Sequence, residues 1–276
     1  MRILRIIERT YEPLHDKYVL GRGGASVNNR DICTQMAQKA DMYLLTYQLG
    51  TEEIINGIHY APHTKMNVIS GMSPRAFGRA VKAFIACKDP LRWKIKEAAY
   101  QIDHEYINKY IKKLKPDIVN IVGIVPAVMS HIDCCKKAKI PVVVSLHGIM
   151  NTKYTSTPEY LKMIERDFCI RADKERIPVI TVSAGTKNRL SEMYDIKDTS
   201  NYFVISNGIK NDMPVLTQMS YSVLLKRYGL DPNKKVVICS GTVTDNKNQC
   251  AVVRAWSLLP KDLTDSYQLV FTVKRR

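Results

Sequence analysis

Short, almost uninterrupted apolar runs alternate along this chain with longer stretches of helical spacing. Residues 3–8, 41–48, 118–122, 141–146, 177–182, 202–205, 235–240 and 267–273 read as strands. A further strand is expected at 67–70. Residues 27–39, 73–87, 92–115, 126–137, 159–171, 183–194 and 215–228 carry the spacing of helices. The strand runs are continuously apolar, with no in–out alternation, as expected of parallel strands covered on both faces. Asp89-Pro90 should separate the helices at 73–87 and 92–115, because proline lacks an amide hydrogen and clashes with the preceding turn. Repeated strand–helix units of this kind predict an α/β fold with a Rossmann-like parallel sheet.

A boundary is expected near residues 208–214. The part before it, residues 1–209, holds about seven strands and reads as a complete domain. The part after it, 210–276, reads as a linker and the start of a second α/β domain. Gly229 is expected to cap the helix at 215–228, and Asp231-Pro232-Asn233 to form a turn.

Composition narrows the class. Of 276 residues, 45% are apolar and 25% charged, ordinary values for a globular chain. No apolar run reaches the length of a membrane span, and the N-terminus reads as a first strand, without the long apolar core of a signal peptide. The seven cysteines are odd in number and lack metal-ligand spacing, so reduced thiols in the cytoplasm are expected. The net charge of +16 favours anionic partners. It is spread along the chain with no zinc finger, RNP motif or helix-turn-helix, and no nucleic-acid partner is expected. The segment 73–115 concentrates Arg75, Arg79, Lys82, Lys88, Arg92, Lys94, Lys96, Lys109, Lys112, Lys113 and Lys115 around Phe77, Phe84 and Trp93. It reads either as two solvated surface helices or as a peripheral contact with an anionic membrane.

Three places could carry chemistry. Gly21-Arg22-Gly23-Gly24 lies between the first strand and the first long helix, where glycines would let the backbone approach a ligand. Its spacing is not the dinucleotide fingerprint, and a ligand-free glycine loop is the other reading. His147 follows the apolar strand PVVVSL, at the strand end where α/β folds bind ligands. It could hydrogen-bond a sugar hydroxyl or phosphate, or serve the fold alone. Gly241 opens the loop GTVTDNKNQ, in which Lys247 stands near a helix start. There it could meet an anion or simply be solvated.

The order strand, Val182-Ser183, helix, strand, Ser206-Asn207-Gly208-Ile209, linker, strand, Gly241-loop-Lys247-Asn248, helix resembles the interdomain region of family 4 glycosyltransferases. The resemblance implies a GT-B arrangement and transfer of a sugar from a nucleotide-activated donor to a glycan or lipid-linked acceptor. Retention of configuration is implied, with no metal and no cofactor beyond the nucleotide sugar as substrate. It implies donor-phosphate binding for Gly23, Gly24, Gly241 and Lys247, and places His147 as the catalytic candidate beside the transferred sugar. Thr242 stands where the family has arginine, and the family's late glutamate pair is not reached. The expectation is therefore a truncated family member, cytoplasmic and peripheral to the inner face of the membrane. A catalytically inactive fragment and a basic α/β module for nucleic acid or polysaccharide are the alternatives.

Overall fold

The computed structural model describes residues 1–7, 24–46, 52–61, 69, 72–88, 90–124, 128–151, 157, 159–208, 218–241, 243 and 247–272. Those up to 208 form one compact unit and those from 218 onward a second.

The first unit is built on an eight-stranded sheet. Its strands are β1 (Arg2–Ile7), β2 (Asp41–Thr46), β3 (Glu53–Ile55), β4 (Ile58–Ala61), β5 (Ile118–Val122), β6 (Val142–Leu146), β7 (Val179–Thr181) and β8 (Tyr202–Val204). Their spatial order is β3-β4-β2-β1-β5-β6-β7-β8. Every pair is parallel except β3 with β4, so the fold is the Rossmann-like α/β sheet expected of the sequence. The β3–β4 hairpin was not foreseen. Its turn is Asn56-Gly57 with φ of 50° and 76°, the left-handed pair that a tight two-residue hairpin requires. The strand expected at 67–70 falls almost wholly outside the described residues.

Helices α1 (Gly24–Ala37), α2 (Pro74–Ala86), α3 (Leu91–Leu114), α4 (Val128–Lys137), α5 (Glu159–Glu175) and α6 (Ala184–Tyr194) accompany these strands. Side-chain alternation splits β1 between two cores. Leu4 and Ile6 join Ile107, Ile111, Ile132, Phe168 and Leu190 from α3, α4, α5 and α6. Ile3 and Ile7 join Cys33 of α1 with Met42, Leu44 and Ile58. The sheet is thus covered by α1 on one face and by α3–α6 on the other, the sandwich a parallel sheet needs.

Local signals fix the ends. Ser73 caps α2, its hydroxyl accepting from the Ala76 amide at 3.2 Å, with Pro74 in the first turn. Pro90 opens α3, which closes on Lys115 in the left-handed region just before Pro116. Ser183 caps α6 through the Thr186 amide at 3.1 Å.

The described residues of the second unit form α7 (Gln218–Arg227), β9 (Lys235–Ser240), α8 (Gln249–Ser257), a short α9 (Lys261–Ser266) and β10 (Tyr267–Thr272). β9 and β10 pair in parallel. Gly229 follows α7 with φ 64°, as its capping role demands. Gln268 bonds both the amide and the carbonyl of Asp231, tying the turn to β10.

Candidate functional site

The strand order dictates where a ligand would sit. From β1 the chain winds outward through β2 to β4, then returns to the other side of β1 as β5 and winds outward again through β8. The reversal falls between β1 and β5, and a crevice opens at the carboxyl ends of strands flanking such a switch point.

Polar residues interrupt the apolar strands at this place. Arg5 is only 5% exposed and pairs in register with Asn120 of β5. Its Nη2 donates to Oδ1 of Asn29 on α1 at 2.5 Å. Asn120 Nδ2 donates to Ser145 Oγ of β6 at 2.8 Å and to the Val143 carbonyl at 3.2 Å. Its Oδ1 is buried without a hydrogen bond. Beside Asn29, Asn28 donates from Nδ2 to Oδ1 of Asn207 at 2.8 Å, joining the first turns of α1 to the loop after β8.

His147 stands just past β6, two residues beyond Ser145. Its imidazole is half-buried, and its Nδ1 is buried without a hydrogen bond. Burial, and then the Arg5 guanidinium, push its pKa below the ordinary histidine value. The ring is therefore neutral at pH 7, able to donate from one nitrogen and accept at the other. The loop carrying it is anchored from below by Glu165 of α5, which is 1% exposed. Glu165 accepts from the Met150 amide at 2.5 Å, the Asn151 amide at 3.2 Å and the Tyr194 hydroxyl at 2.7 Å. Burial and this carboxylate drive the Tyr194 phenol well above its usual range.

A guanidinium on β1, amide groups on β5 and in α1, and a neutral imidazole just past β6 are thus gathered on neighbouring elements around the reversal of strand order. Such a set suits an oxygen-rich, anionic or polyhydroxyl ligand. Among the described residues no group of three or more His, Cys, Asp or Glu converges as metal ligands.

Of the sequence candidates, His147 lies at the carboxyl end of β6 and Gly24 is the first residue of α1. Gly23 lies outside the described residues. Gly241 and Lys247 belong to the second unit and approach each other: a Cβ on Gly241 would lie 3.9 Å from Lys247 Cγ. Gly241 has φ 140°, a conformation side chains rarely adopt. Sequence reasoning missed Arg5, Asn29, Asn120, Ser145 and Glu165. A signal for three of them was present, since Arg5, Asn120 and Ser145 each break a run of apolar strand residues.

The fold is that of known GT-B structures. The chain superposes on the E. coli trehalose-6-phosphate structure bound with UDP-2-fluoro glucose with a TM-score of 0.59 and 13% identity, over 100% of this chain and 65% of that one. A UDP-forming α,α-trehalose-phosphate synthase from Burkholderia xenovorans gives 0.57 and 13% identity, over 99% and 64%. Sucrose-phosphate synthase from Thermosynechococcus elongatus gives 0.56 and 11%, over 99% and 71%. The chain therefore spans about two thirds of the length of these proteins. Compared with curated proteins, the sequence gives no significant match. The model of Glycosyltransferase Family 4 matches residues 22–212, a stretch that includes α1, β5, His147 and the Asn207 loop, and the chain belongs to that family.

Proposed function

We propose that the chain acts in transfer of a sugar from a nucleotide-activated donor to a glycan or lipid-linked acceptor. In the reaction the bond from the anomeric carbon to the diphosphate oxygen breaks, and a bond from that carbon to an acceptor hydroxyl forms. The acceptor proton leaves, and the nucleoside diphosphate departs with the bonding pair. His147 hydrogen-bonds the transferred sugar as a neutral imidazole, and Arg5 supplies positive potential behind it. Gly241 and Lys247 meet the donor diphosphate, where developing negative charge most needs stabilisation. In the first unit, Gly23 and Gly24 are the phosphate-binding candidates. The nucleotide sugar is the only small molecule required, the configuration is retained, and no metal takes part. The setting is cytoplasmic, at the inner face of the membrane.

The observation that carries this reading is His147, just past β6, with a buried Nδ1 that has no hydrogen bond and a pKa lowered by burial and by Arg5. UDP-glucose is the natural first probe, since UDP figures in two of the structures of similar fold. It should shift the NMR signals of the His147 ring, and His147→Ala should cut turnover by about a hundredfold or more. Product anomers and activity in the presence of a chelator test retention and metal independence. Unchanged turnover in His147→Ala, or a His147 ring blind to every nucleotide sugar, would remove the basis of the proposal.

A further inference from the structure

Helix α2 is built the wrong way round for a helix that serves only a core. Ala76, Ala80, Ala83 and Cys87 recur at spacings of four, three and four, and Ala76, Ala80 and Cys87 are buried. At 100° per residue the next strip round the helix carries Phe77, Val81 and Ile85. These large apolar side chains are 57%, 43% and 73% exposed. On the other side of the alanine strip stand Arg75, Arg79 and Lys82. The small residues thus face inward and the large apolar ones face solvent. On the first turns of α3, Leu91 and Ile95, one turn apart, are also exposed.

Cations frame this surface. Residues 72–95 hold six basic residues and one acid. Arg79 is engaged by Glu105 at 2.8 Å, but Arg75, Lys82, Lys88 and Arg92 are exposed. Lys94 Nζ lies 5.9 Å from the centre of the Phe84 ring, and the Arg92 guanidinium 5.5 Å from that of Trp93. An apolar strip with cations and aromatic rings along it matches the boundary between headgroups and acyl chains.

Topology places the surface. α3 runs into β5 and so ends at the amino edge of the sheet. Its 24 residues span about 36 Å, against about 17 Å for the five-residue β5. The first turns of α3 therefore project past the carboxyl edge, the edge where His147 stands. Trp93 marks the spot, its ring 6.2 Å from that of Tyr160 in the first turn of α5.

From this juxtaposition we infer that the α2–α3 hairpin docks on an anionic lipid bilayer through Phe77, Val81, Ile85, Leu91 and Ile95, with Arg75, Lys82, Lys88 and Arg92 on the headgroups. Among the described residues no helix is long and apolar enough to cross a membrane, so the contact is an in-plane one. Charge complementarity selects the bilayer as the occupant. The docking holds whether or not transfer occurs. Its corollary, that the acceptor is the lipid-linked one, rests on the function proposed above.

The test is co-sedimentation of the full chain with phosphatidylcholine vesicles, with and without phosphatidylglycerol. Binding is expected only with the anionic lipid, and high salt should weaken it by on the order of tenfold or more. The combined variant Phe77→Ser, Val81→Ser, Ile85→Ser alters only exposed positions. It should keep the circular dichroism and thermal midpoint and lose about a hundredfold in vesicle affinity. Binding by that variant as tight as the parent's, or equal partition onto neutral and anionic vesicles, overturns the inference. So does a parent chain that ignores vesicles but dimerises through the strip, which makes a second copy the occupant. Vesicle binding combined with transfer to soluble glycans alone supports docking and overturns the corollary.

Discussion

Glu165 is the residue through which the fold reaches His147, and replacing it with glutamine tests that link. Its two oxygens are committed differently: Oε2 accepts from the Met150 amide, and Oε1 from the Asn151 amide and the Tyr194 hydroxyl. Glutamine has one acceptor oxygen. Whichever way its amide turns, at least one N–H meets a donor instead of an acceptor, at a site that is 1% exposed. A hydrogen bond to a charged group is worth about 1.5–3 kcal/mol, and a buried donor left unpaired costs about 1–3 kcal/mol. Glu165→Gln should therefore lower stability by about 2–4 kcal/mol, read as a shift in the urea midpoint without a change in slope. Hydrogen exchange should accelerate in the peptide covering residues 147–151 beyond what global destabilisation explains. Tyr194→Phe, which removes only the hydroxyl, should cost about 1 kcal/mol and leave the Met150 and Asn151 amides protected. Unchanged exchange at those two amides in Glu165→Gln would refute the argument that this carboxylate holds the His147 loop.

Two further outcomes follow from buried or strained positions. His104, 5% exposed between α3 and α4, has its pKa lowered to about 4 by burial first, then by His131 and Arg79, with Glu105 and Asp103 opposing. The unfolded chain then binds the extra proton, so stability is full above about pH 6.5 and falls by about 3 kcal/mol as pH drops towards 4. Urea midpoints of the parent and His104→Gln across that interval measure it, and equal losses in both would assign the effect to other groups. Gly57→Ala should cost about 1–2 kcal/mol because φ is 76° there, although the added Cβ meets the Ala37 methyl and carbonyl oxygen at an ordinary 3.6 and 3.9 Å. An unaltered thermal midpoint would show that the β3–β4 turn relaxes without cost.

The sheet was legible because its central strands are buried on both faces and so read as unbroken apolar runs. The β3–β4 hairpin escaped notice, although Ile54-Ile55-Asn56-Gly57-Ile58 contains the strongest short hairpin signal there is. These strands have only three and four residues, too short to stand out as apolar runs. His147 could be proposed from its place after PVVVSL alone. Arg5, Asn120 and Ser145 could be noticed as interruptions but not joined. Their meeting depends on β5 and β6 following β1 in the sheet, a long-range fact that no local window contains. Glu165 was hidden for another reason. A glutamate on a helix reads as solvated until the loop after β6 is known to fold over it.

The site rests on two arguments that do not depend on each other. One is topological: strand order reverses between β1 and β5, and the crevice at that reversal is where a parallel sheet offers backbone and side-chain donors together. The other is energetic. A buried polar atom without a partner costs about 1–3 kcal/mol, and such atoms persist where a ligand or a constraint accounts for them. Asn120 Oδ1 and His147 Nδ1 are two of these, one on β5 and one just past β6. Other buried atoms without partners lie at His104 Nδ1 and Asn201 Oδ1. Those sit in the α3–α4 seam and at the start of β8, where no strand ends point at a crevice. Lack of a partner alone therefore does not mark a site, and neither does a strand end alone. Where the two coincide, an unpaired amide oxygen on β5 and an unpaired imidazole nitrogen just past β6 stand on neighbouring strands beside the reversal, and that coincidence is why His147 is proposed to contact the substrate.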